Sequence, residues 1–407
     1  MGLFFQNKKE YTSQSISKAA WLKFKKNRQG MFLLLFVVFI ALCAILGYLI
    51  TPDSTPYANE QLLEIRLQKP GSSTRLLLIR KNQAIKKNNA FHKMLFGQTN
   101  PYRMLPLSSY RFHKDSIIIE RLHETPPYNI SAYSLAEIVY SVKSQTHILS
   151  DGRYLHFTDI YNQSHSISIQ ALQTQIEKEH IITKKHLLGT DRYGRDVLSQ
   201  LIIGARVSLS VGFISVSIAL LIGVFLGAVA GYFRGWIDDI IMWFINVVWS
   251  IPTLLLVIAI SFALGAGFWQ IFVAIGLTMW VDIARVVRGQ VISLREKEFV
   301  EASKAMGFNH FTIIFKHITP NISGTIIVIA ASNFASAILT EAGLSFLGIG
   351  VQPPMPSWGS MIKENYGYII LDYAYLAIIP GIAIMLLVLA FMLLGNTIRD
   401  VMDVKEN

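Results

Sequence analysis

The sequence predicts an all-α polytopic membrane domain with six transmembrane helices and a mixed α+β insert between the first two. Of 407 residues, 52% are hydrophobic and only 15% are charged. A helix needs about 20 apolar residues to cross a bilayer, and six runs reach or approach that length. One long segment, 51–185, contains no such run. The six predicted spans are residues 31–50, 207–230, 240–264, 268–289, 322–340 and 373–394.

Two kinds of residue interrupt these spans. Asp282 and Arg285 lie near the end of the fourth span, three positions apart, where opposite charges can partly neutralise each other on one helix face. Pro252 and Pro380 are expected to bend the third and sixth spans. Whether those bends gate a path does not follow from the sequence.

The first span is expected to be an uncleaved anchor, residues 30–50, after a cytoplasmic segment, residues 1–29. Its apolar run exceeds the roughly 7 to 15 residues of a signal-peptide core, and the segment 47–52 reads GYLITP. Lys and Arg concentrate before this span and after the fourth one, which predicts that both regions face the cytoplasm. Six spans then place the carboxyl-terminal segment, 399–407, on the same side.

Residues 51–185 are therefore expected to form an extracytoplasmic domain. Short stretches that are apolar, or in which apolar and polar residues alternate, predict strands. Two further stretches predict short helices. The only cysteine, Cys43, lies in the first span, so no disulfide holds this domain. The predicted strands are 74–79, 116–119, 154–157 and 166–169, and the predicted helices are 132–142 and 171–179.

Eight histidines lie in or just after this insert, yet their spacing contains no compact ligand pair, so we predict no metal site. They are His92, His113, His123, His147, His156, His165, His180 and His186.

A ridge of small residues runs along the second span with a period of four. In lipid, such a ridge allows another helix backbone to approach closely and gain dispersion contacts. The partner helix is either in the same chain or in a second subunit, and the sequence leaves both open. The ridge residues are Ser215, Ala219, Gly223, Gly227 and Gly231.

A polar segment, 298–321, separates the fourth and fifth spans. Ser293 and Glu296 have the spacing of a capping box that starts a helix, and Gly307 is expected to end it. Small side chains at Ala302, Ser303 and Ala305 leave a surface of low relief, next to the acidic Glu301. Local chemistry alone also fits an ordinary solvated helical hairpin.

The full pattern of this segment, with Glu301, Ala302, Ser303, Gly307 and a downstream His317, Pro320 and Asn321, resembles the EAA loop of ATP-binding-cassette (ABC) importer permeases. In that family the loop forms a short coupling helix that docks on a separate ATPase. The resemblance implies that Glu301, Ala302, Ser303, Ala305 and Gly307 couple the chain to the ATPase.

Three further stretches extend the resemblance to nearly everything from residue 186 to 407. HLLGTDRYGRDVLSQLIIGARVSLSVG at 186–212 is similar to the segment that opens the membrane domain in the dipeptide, oligopeptide and nickel branch. In it, Gly189, Thr190 and Asp191 are expected to form a turn with a helix cap. The other two are ARVVRGQ at 284–290 and EAGLSFLGIGVQPPMPSWGSMI at 341–362. The insert departs from the family, whose members have a much shorter segment there.

The resemblance implies the second permease subunit of a dipeptide or oligopeptide importer, of the type I ABC importer fold, in a bacterial plasma membrane. Residues 186–407 would form the permease domain, with a coupling loop at 290–320. Expected partners are ABC ATPase subunits, a homologous permease, an extracytoplasmic solute-binding protein and membrane lipid, with no nucleic acid. The chain would be no enzyme, with no catalytic, cofactor or metal residues of its own.

Two alternatives stay open. The same motifs occur in importers of nickel or other small solutes. An ion-coupled secondary transporter is a less favoured alternative, since it needs ionisable groups near the middle of the membrane, and these spans hold few.

Overall fold

The computed structural model describes residues 16–85, 88–122, 129–143, 148–265 and 267–402. Within these ranges, five helices are long and apolar enough to cross a membrane, or six if one bent helix pair forms a single span. An α+β unit lies between the first and second of them. The chain is therefore a polytopic helical membrane protein with a mixed α+β insert.

The amino-terminal part contains three consecutive helices, α1 (Ile16–Lys26), α2 (Arg28–Ile45) and α3 (Gly47–Ile50). The Asn27 side chain caps α2 by accepting a hydrogen bond from the Gly30 backbone N–H at 2.9 Å. The predicted span 31–50 is thus divided at Leu46 into α2 and the short α3.

The insert contains two antiparallel sheets, with strand orders β4-β3-β2-β1-β8 and β5-β6-β7. Ser72 of β1 pairs with His186 of β8, so the first and last strands of the insert lie side by side. Its elements are β1 (Ser72–Arg80), α4 (Ala90–Phe96), β2 (Tyr102–His113), β3 (Ser116–Arg121), β4 (Ile130–Ser134), α5 (Leu135–Val139), β5 (Leu149–Ser150), β6 (Tyr154–Thr158), β7 (Ser164–Ser168), α6 (Ile169–Gln175) and β8 (Ile181–His186).

Three of the four predicted strands lie inside observed ones, whereas 166–169 only overlaps β7. The predicted helix 132–142 is wrong at both ends, because residues 130–134 pair with β3 as β4 and α5 ends at Val139. The helix predicted at 171–179 lies in α6 and the π-helical turn Ile176–His180. Strands β2, β4, β5 and β8 were not predicted.

Both sheets and both helices α5 and α6 share one core. Leu77, Ile117, Leu135, Leu155 and Leu172 are completely buried in it. Since apolar burial is the main favourable term in folding, this shared core explains how the insert folds without a disulfide.

After the insert, the described part of the chain is mainly helical. Helix α7 has 37 residues, which gives a length of roughly 55 Å, so it extends well beyond a hydrocarbon layer of about 30 Å. The helices are α7 (Val197–Phe233), α8 (Gly235–Trp249), α9 (Thr253–Leu264), α10 (Phe268–Arg295), α11 (Glu298–Ala305), α12 (His310–Thr312), α13 (Ser323–Leu347), α14 (Trp358–Asn365) and α15 (Tyr375–Met402).

The predicted third span, 240–264, is two helices. Helices α8 and α9 meet at 93°, and Pro252 is the residue just before α9, where its fixed φ and missing N–H favour a break. Pro380 lies inside α15, which continues to Met402.

The expected pairing of Asp282 with Arg285 is wrong. The Arg285 guanidinium lies 4.0 Å from the centre of the Trp249 ring, and it donates a hydrogen bond to Asn246 Oδ1 at 3.4 Å. Asp282 is exposed. Arg285 therefore joins α10 to the end of α8, through a ring and an amide that are 36 and 39 positions away in the sequence.

Candidate functional site

The candidate coupling helix is α11, which follows α10 after a two-residue link. The predicted capping box is wrong, because Ser293 lies inside α10 and Glu296 is the residue that ends it. Helix α11 begins after Lys297, which makes no side-chain cap. Buried Val287 and Val291 hold the turns of α10 just before Ser293, and the helix continues to Arg295, whose guanidinium donates to the Tyr232 carbonyl oxygen; these contacts outweigh the local capping preference.

Gly307 ends α11 in the way its residue type predicts. Its φ is +77°, in the left-handed region, and its N–H donates to the Lys304 carbonyl oxygen at 2.9 Å. The next N–H, of Phe308, reaches the Ser303 carbonyl oxygen at 3.2 Å. Glycine adopts this conformation without the steric cost that a side chain brings, so the turn depends on it.

The five predicted coupling residues are divided between two sides of this short segment. Glu301, Ala302, Ala305 and Gly307 are exposed. Ser303 is only 3% exposed and its hydroxyl donates to the Phe299 carbonyl oxygen at 2.8 Å. Four residues are thus available to a partner, whereas Ser303 faces this chain's own helices.

A buried contact fixes the inner side of α11. Val300 is completely buried, and it belongs to the same core as Ile313, Ile314 and Ile318 of the π-helical turn Ile313–Ile318. Helix α11 therefore packs on the segment that leads into α13.

Tyr232, at the end of α7, connects this loop to the membrane helices. Its hydroxyl is hydrogen-bonded to His310 Nδ1 at 3.0 Å, and the Lys304 ammonium lies 5.7 Å from the centre of its ring. Arg295, at the end of α10, donates to the Tyr232 carbonyl oxygen at 2.8 Å. Sequence reasoning missed Tyr232, whose only signal was its place directly after Gly231.

The outer side of the segment is apolar and open. Met306 is 68% exposed and Phe311 is 57% exposed, and Phe308 lies between them in the chain. We call Ala302, Ala305, Met306, Phe308 and Phe311 the candidate coupling surface. Exposed apolar side chains grouped in this way mark interaction sites in proteins, since leaving them in water is unfavourable.

The ridge of small residues on α7 packs against α10 of the same chain. The Ser215 hydroxyl donates to the Phe272 carbonyl oxygen at 2.9 Å, and Ala219 is completely buried. A Cβ added at Gly223 or Gly231 would lie 2.7 Å from a backbone oxygen of α10, and one at Gly227 would overlap the Ala284 carbonyl oxygen. The structure thus places all five ridge residues inside the subunit.

At the other end of α7, the helix cap differs from the one expected. Asp191 closes the turn by accepting the Tyr193 and Arg195 backbone N–H groups, each at 2.9 Å, but it does not cap the helix. Asp196 caps α7, accepting from the Ser199 N–H at 2.9 Å and from its hydroxyl at 2.6 Å.

The electrostatics of this cap stabilise its charged form. Burial acts to raise the pKa of Asp196, but hydrogen bonds from His186 and Ser199 outweigh it and hold the pKa below its ordinary value. The carboxylate therefore stays ionised at the start of α7, where a negative charge is favourable.

Arg195 joins the stretch at 186–212 to α14, the helix that begins within the stretch at 341–362. Its guanidinium lies 2.6 Å from Asp191 Oδ2 and 2.6 Å from Glu364 Oε2, on α14. Burial acts to lower the pKa of Arg195, but the two carboxylates outweigh it and raise that pKa. The ion pairs hold the segment before α7 against the segment after α13.

Within the described residues, no three His, Cys, Asp or Glu side chains form a group that could hold a metal ion. His165 contacts Asp159 at 3.0 Å, and His180 contacts the Leu78 carbonyl oxygen at 2.7 Å. His123 and His147 lie outside the described residues.

Comparison with known proteins gives the family. Residues 223–405 match the family model of the binding-protein-dependent transport system inner membrane component, and residues 15–70 match the N-terminal TM domain of oligopeptide transport permease C. The glutathione transport system permease protein GsiD of Pectobacterium atrosepticum is 41% identical over 220 residues, which cover 54% of this chain and 73% of that protein. The dipeptide transport system permease protein DppC of Alkalihalophilus pseudofirmus is 43% identical over 221 residues, which cover 54% of this chain and 72% of that protein.

A structure of the MetNI methionine ABC transporter in an inward-facing conformation matches with a TM-score of 0.43 and 20% identity. The match covers 50% of this chain and 97% of that one. On its relatives and on both family models, this chain belongs to the inner membrane components of binding-protein-dependent ABC transport systems.

Proposed function

We propose that this chain is the second permease subunit of an ATP-driven importer of dipeptides or oligopeptides in a bacterial plasma membrane. The observation that carries the proposal is the exposed candidate coupling surface, which α11 and the residues after it present between two membrane helices. The substrate class follows the relatives named for glutathione, itself a tripeptide, and for dipeptides.

In this proposal, ATP hydrolysis belongs to partner ATPase subunits, and α11 transmits their movement. A partner that covers Met306, Phe308 and Phe311 moves α11 with it. The contacts of Tyr232 with His310 and Lys304 pass that movement to the end of α7, and Arg295 passes it to the end of α10. Because the ridge packs α7 closely on α10, the two helices move as one body.

The proposed topology has six spans of the type I importer arrangement, with the bent pair α8 and α9 as the third. Both termini and the coupling loop, 290–320, face the cytoplasm. Residues 1–29 are the cytoplasmic segment, 30–50 the anchor, 51–185 the extracytoplasmic insert and 186–407 the permease domain. Support comes from the Lys and Arg residues that flank α2 and α11 on one side.

The proposed partner outside the membrane is a solute-binding protein. The proposed partners within the membrane are a homologous permease and lipid. An open groove of about 890 Å³ lies where the insert meets the membrane helices, and Glu64, Arg66, Lys69, Leu122 and Tyr373 line part of it. Mixed charges and apolar groups in one groove suit a protein surface that must bind and release. We place the binding protein's contact on this side of the chain.

The direct test is a pair of substitutions at one position. Gly307→Val forces a β-branched side chain into a left-handed turn, whereas Gly307→Asn introduces a residue that tolerates it. No atom lies within 4 Å of a Cβ added there, so backbone conformation alone distinguishes the two variants. We expect binding-protein-stimulated ATPase activity of the reconstituted complex to be lost with Val and largely kept with Asn. Equal activity of Val and wild type would remove α11 from the mechanism.

A second test addresses the surface charge at the start of α11. Glu301 is exposed, so Glu301→Lys reverses a charge without disturbing the core. We expect weaker copurification of the ATPase subunits and unchanged insertion of the chain into the membrane.

The insert has its own test, since the family resemblance does not explain it. Because Ser72 and His186 pair across β1 and β8, residues 73–185 can be replaced by a short Gly and Ser linker between neighbouring positions. We expect basal ATPase activity to remain and its stimulation by loaded binding protein to weaken. Unchanged stimulation would contradict a role in binding-protein contact, and loss of assembly would show a structural role.

An importer of nickel or another small solute would use the same coupling contacts and differ only in its solute. Measuring whether binding protein loaded with peptide or with nickel stimulates the ATPase distinguishes a peptide importer from a nickel importer. An ion-coupled secondary transporter would transport without ATP, which the same reconstituted system tests.

A further inference from the structure

Helix α4 is a part of the insert whose apolar side chains are not packed into it. The chain leaves the sheet after β1, forms this seven-residue helix and returns as β2. None of its residues is buried. Phe91 is 67% exposed, Phe96 is 62% exposed and Leu95 is 43% exposed. We call these three side chains the α4 face.

Arg206 of α7 fixes the position of α4 against the membrane helices. Its guanidinium donates to the Ile45 carbonyl oxygen at 2.6 Å, at the end of α2, and to the Met94 and Leu95 carbonyl oxygens at 2.6 and 3.1 Å, near the end of α4. A cation is favourable at the carboxyl end of a helix, and here one cation serves two helices. The ends of α2 and α4 therefore lie together.

A second attachment holds the residue after α4. The Gln98 N–H donates to the Ser54 carbonyl oxygen at 2.8 Å. A Cβ on Gly97 would lie 2.9 Å from the same oxygen, so the chain passes close by. Helix α4 is thus fixed at its carboxyl end to the segment that leaves the first span.

The height of α4 follows from the length of α2. Its 18 residues span roughly 27 Å, close to the hydrocarbon thickness of about 30 Å, so its last carbonyl groups lie near one membrane boundary. Beside them, Ile45 is 53% exposed and Ile50 is 51% exposed. The α4 face therefore continues an apolar surface that the anchor presents at that boundary.

We propose that the α4 face inserts into the interfacial region of the lipid leaflet on the insert's side of the membrane. Aromatic side chains favour this region, and His92 and Lys93 on the same helix can contact lipid phosphates. The three side chains expose on the order of 300–400 Å², whereas a stable protein interface buries about 800 Å² on each partner. A lipid surface suits this small patch better than a protein does.

Insertion of the α4 face into lipid would give the insert a second attachment to the membrane. The insert's first and last strands, β1 and β8, already pair with each other just before the chain continues to α7. Helix α4 adds a lipid contact beside the end of α2, which restrains tilting of the insert over the membrane helices. This inference concerns the insert and holds whichever solute the chain transports.

The test measures where the α4 face lies in the intact full-length protein, purified with its copurifying subunits in nanodiscs of phosphatidylethanolamine and phosphatidylglycerol. In a Cys43→Ala background, the single substitutions Phe91→Cys and Phe96→Cys receive a nitroxide label. Collision with oxygen, which concentrates in lipid, is compared with collision with a water-soluble nickel chelate. Phe39→Cys on α2, 60% exposed, is the lipid control, and Leu149→Cys on β5, 65% exposed, is the water control.

We expect the oxygen-to-nickel ratio at 91 and 96 to be several-fold above that at 149 and to approach that at 39. A ratio equal to that at 149 overturns the proposal by placing α4 in water. Low collision with both reagents, together with an immobilised spectrum, also overturns it, because a protein then covers the face. All four positions are exposed, so these labels test location without disturbing a core.

Discussion

Substitution of Gly223 by Ala tests the ridge with the smallest possible change. An added Cβ would lie 2.7 Å from the Trp280 carbonyl oxygen and 2.7 Å from Ile283 Cβ, whereas ordinary contact begins at 3.4 Å. Helices α7 and α10 must therefore separate locally by the difference between 3.4 and 2.7 Å, about 0.7 Å. A gap of that size loses roughly a quarter to a half of each nearby dispersion contact.

The magnitude follows from two opposing effects. Overpacking of this kind costs about 1–3 kcal/mol, and replacing Gly by Ala inside a helix returns up to about 1 kcal/mol. We expect a net loss of stability on the order of 1–2 kcal/mol, seen as a lower melting temperature of the purified complex.

Gly289→Ala is the matched control, on α10 itself. No atom lies within 4 Å of a Cβ added there, so only the helix-propensity gain applies. We expect its melting temperature to equal or exceed that of wild type. If Gly223→Ala melts no lower than Gly289→Ala, the close approach of α7 and α10 does not exist in the membrane.

Three further predictions concern other parts of the chain. The first tests topology with single cysteines in place of the exposed Ser108 and Ala305, in a Cys43→Ala background. An impermeant thiol reagent added to sealed cells should label the cysteine at 108 and not the one at 305. Labelling at 305 would invert the proposed orientation. Tyr232→Phe removes the hydrogen bond to His310, so we expect ATPase stimulation to fall while complex assembly is kept, and equal stimulation would contradict the proposed link. The third prediction concerns the α7 cap, where the pKa of Asp196 is lower in the folded protein than its ordinary value of about 3.9. The ionised carboxylate therefore stabilises the folded protein fully above that ordinary pKa, and this stabilisation is lost as the pH falls through the lower pKa of the folded state. Asp196→Asn should therefore melt lower at pH 7 and lose less stability than wild type below about pH 4, as differential scanning fluorimetry measures it.

The sequence by itself determined features that depend on neighbouring residues. Apolar runs gave the membrane helices, because crossing a bilayer depends on local length and hydropathy. Gly307 gave the end of α11, because glycine tolerates a left-handed backbone, and Pro252 gave the bend before α9, because proline fixes its own φ. Alternating apolar residues gave strands such as β1 and β3.

Local signals failed where packing outweighed them. The capping box at Ser293 lost to the continuation of α10 to Arg295, which donates to the Tyr232 carbonyl oxygen, and the helix start expected at residue 132 lost to pairing of β4 with β3. Asp191, which has the right residue type for a cap, closes a turn instead, and Asp196 caps α7. A short stretch carries several such preferences, and the tertiary contacts select among them.

Only the tertiary structure decided which distant groups meet. It placed the ridge against α10 in the same chain, joined Arg195 to Glu364, and turned Ser303 inwards while Ala302 stayed exposed. It also brought Arg206 to the ends of both α2 and α4, which are about 50 residues apart in the sequence. These contacts depend on how helices and sheets pack over long sequence separations, and no periodicity or spacing within one segment contains that information.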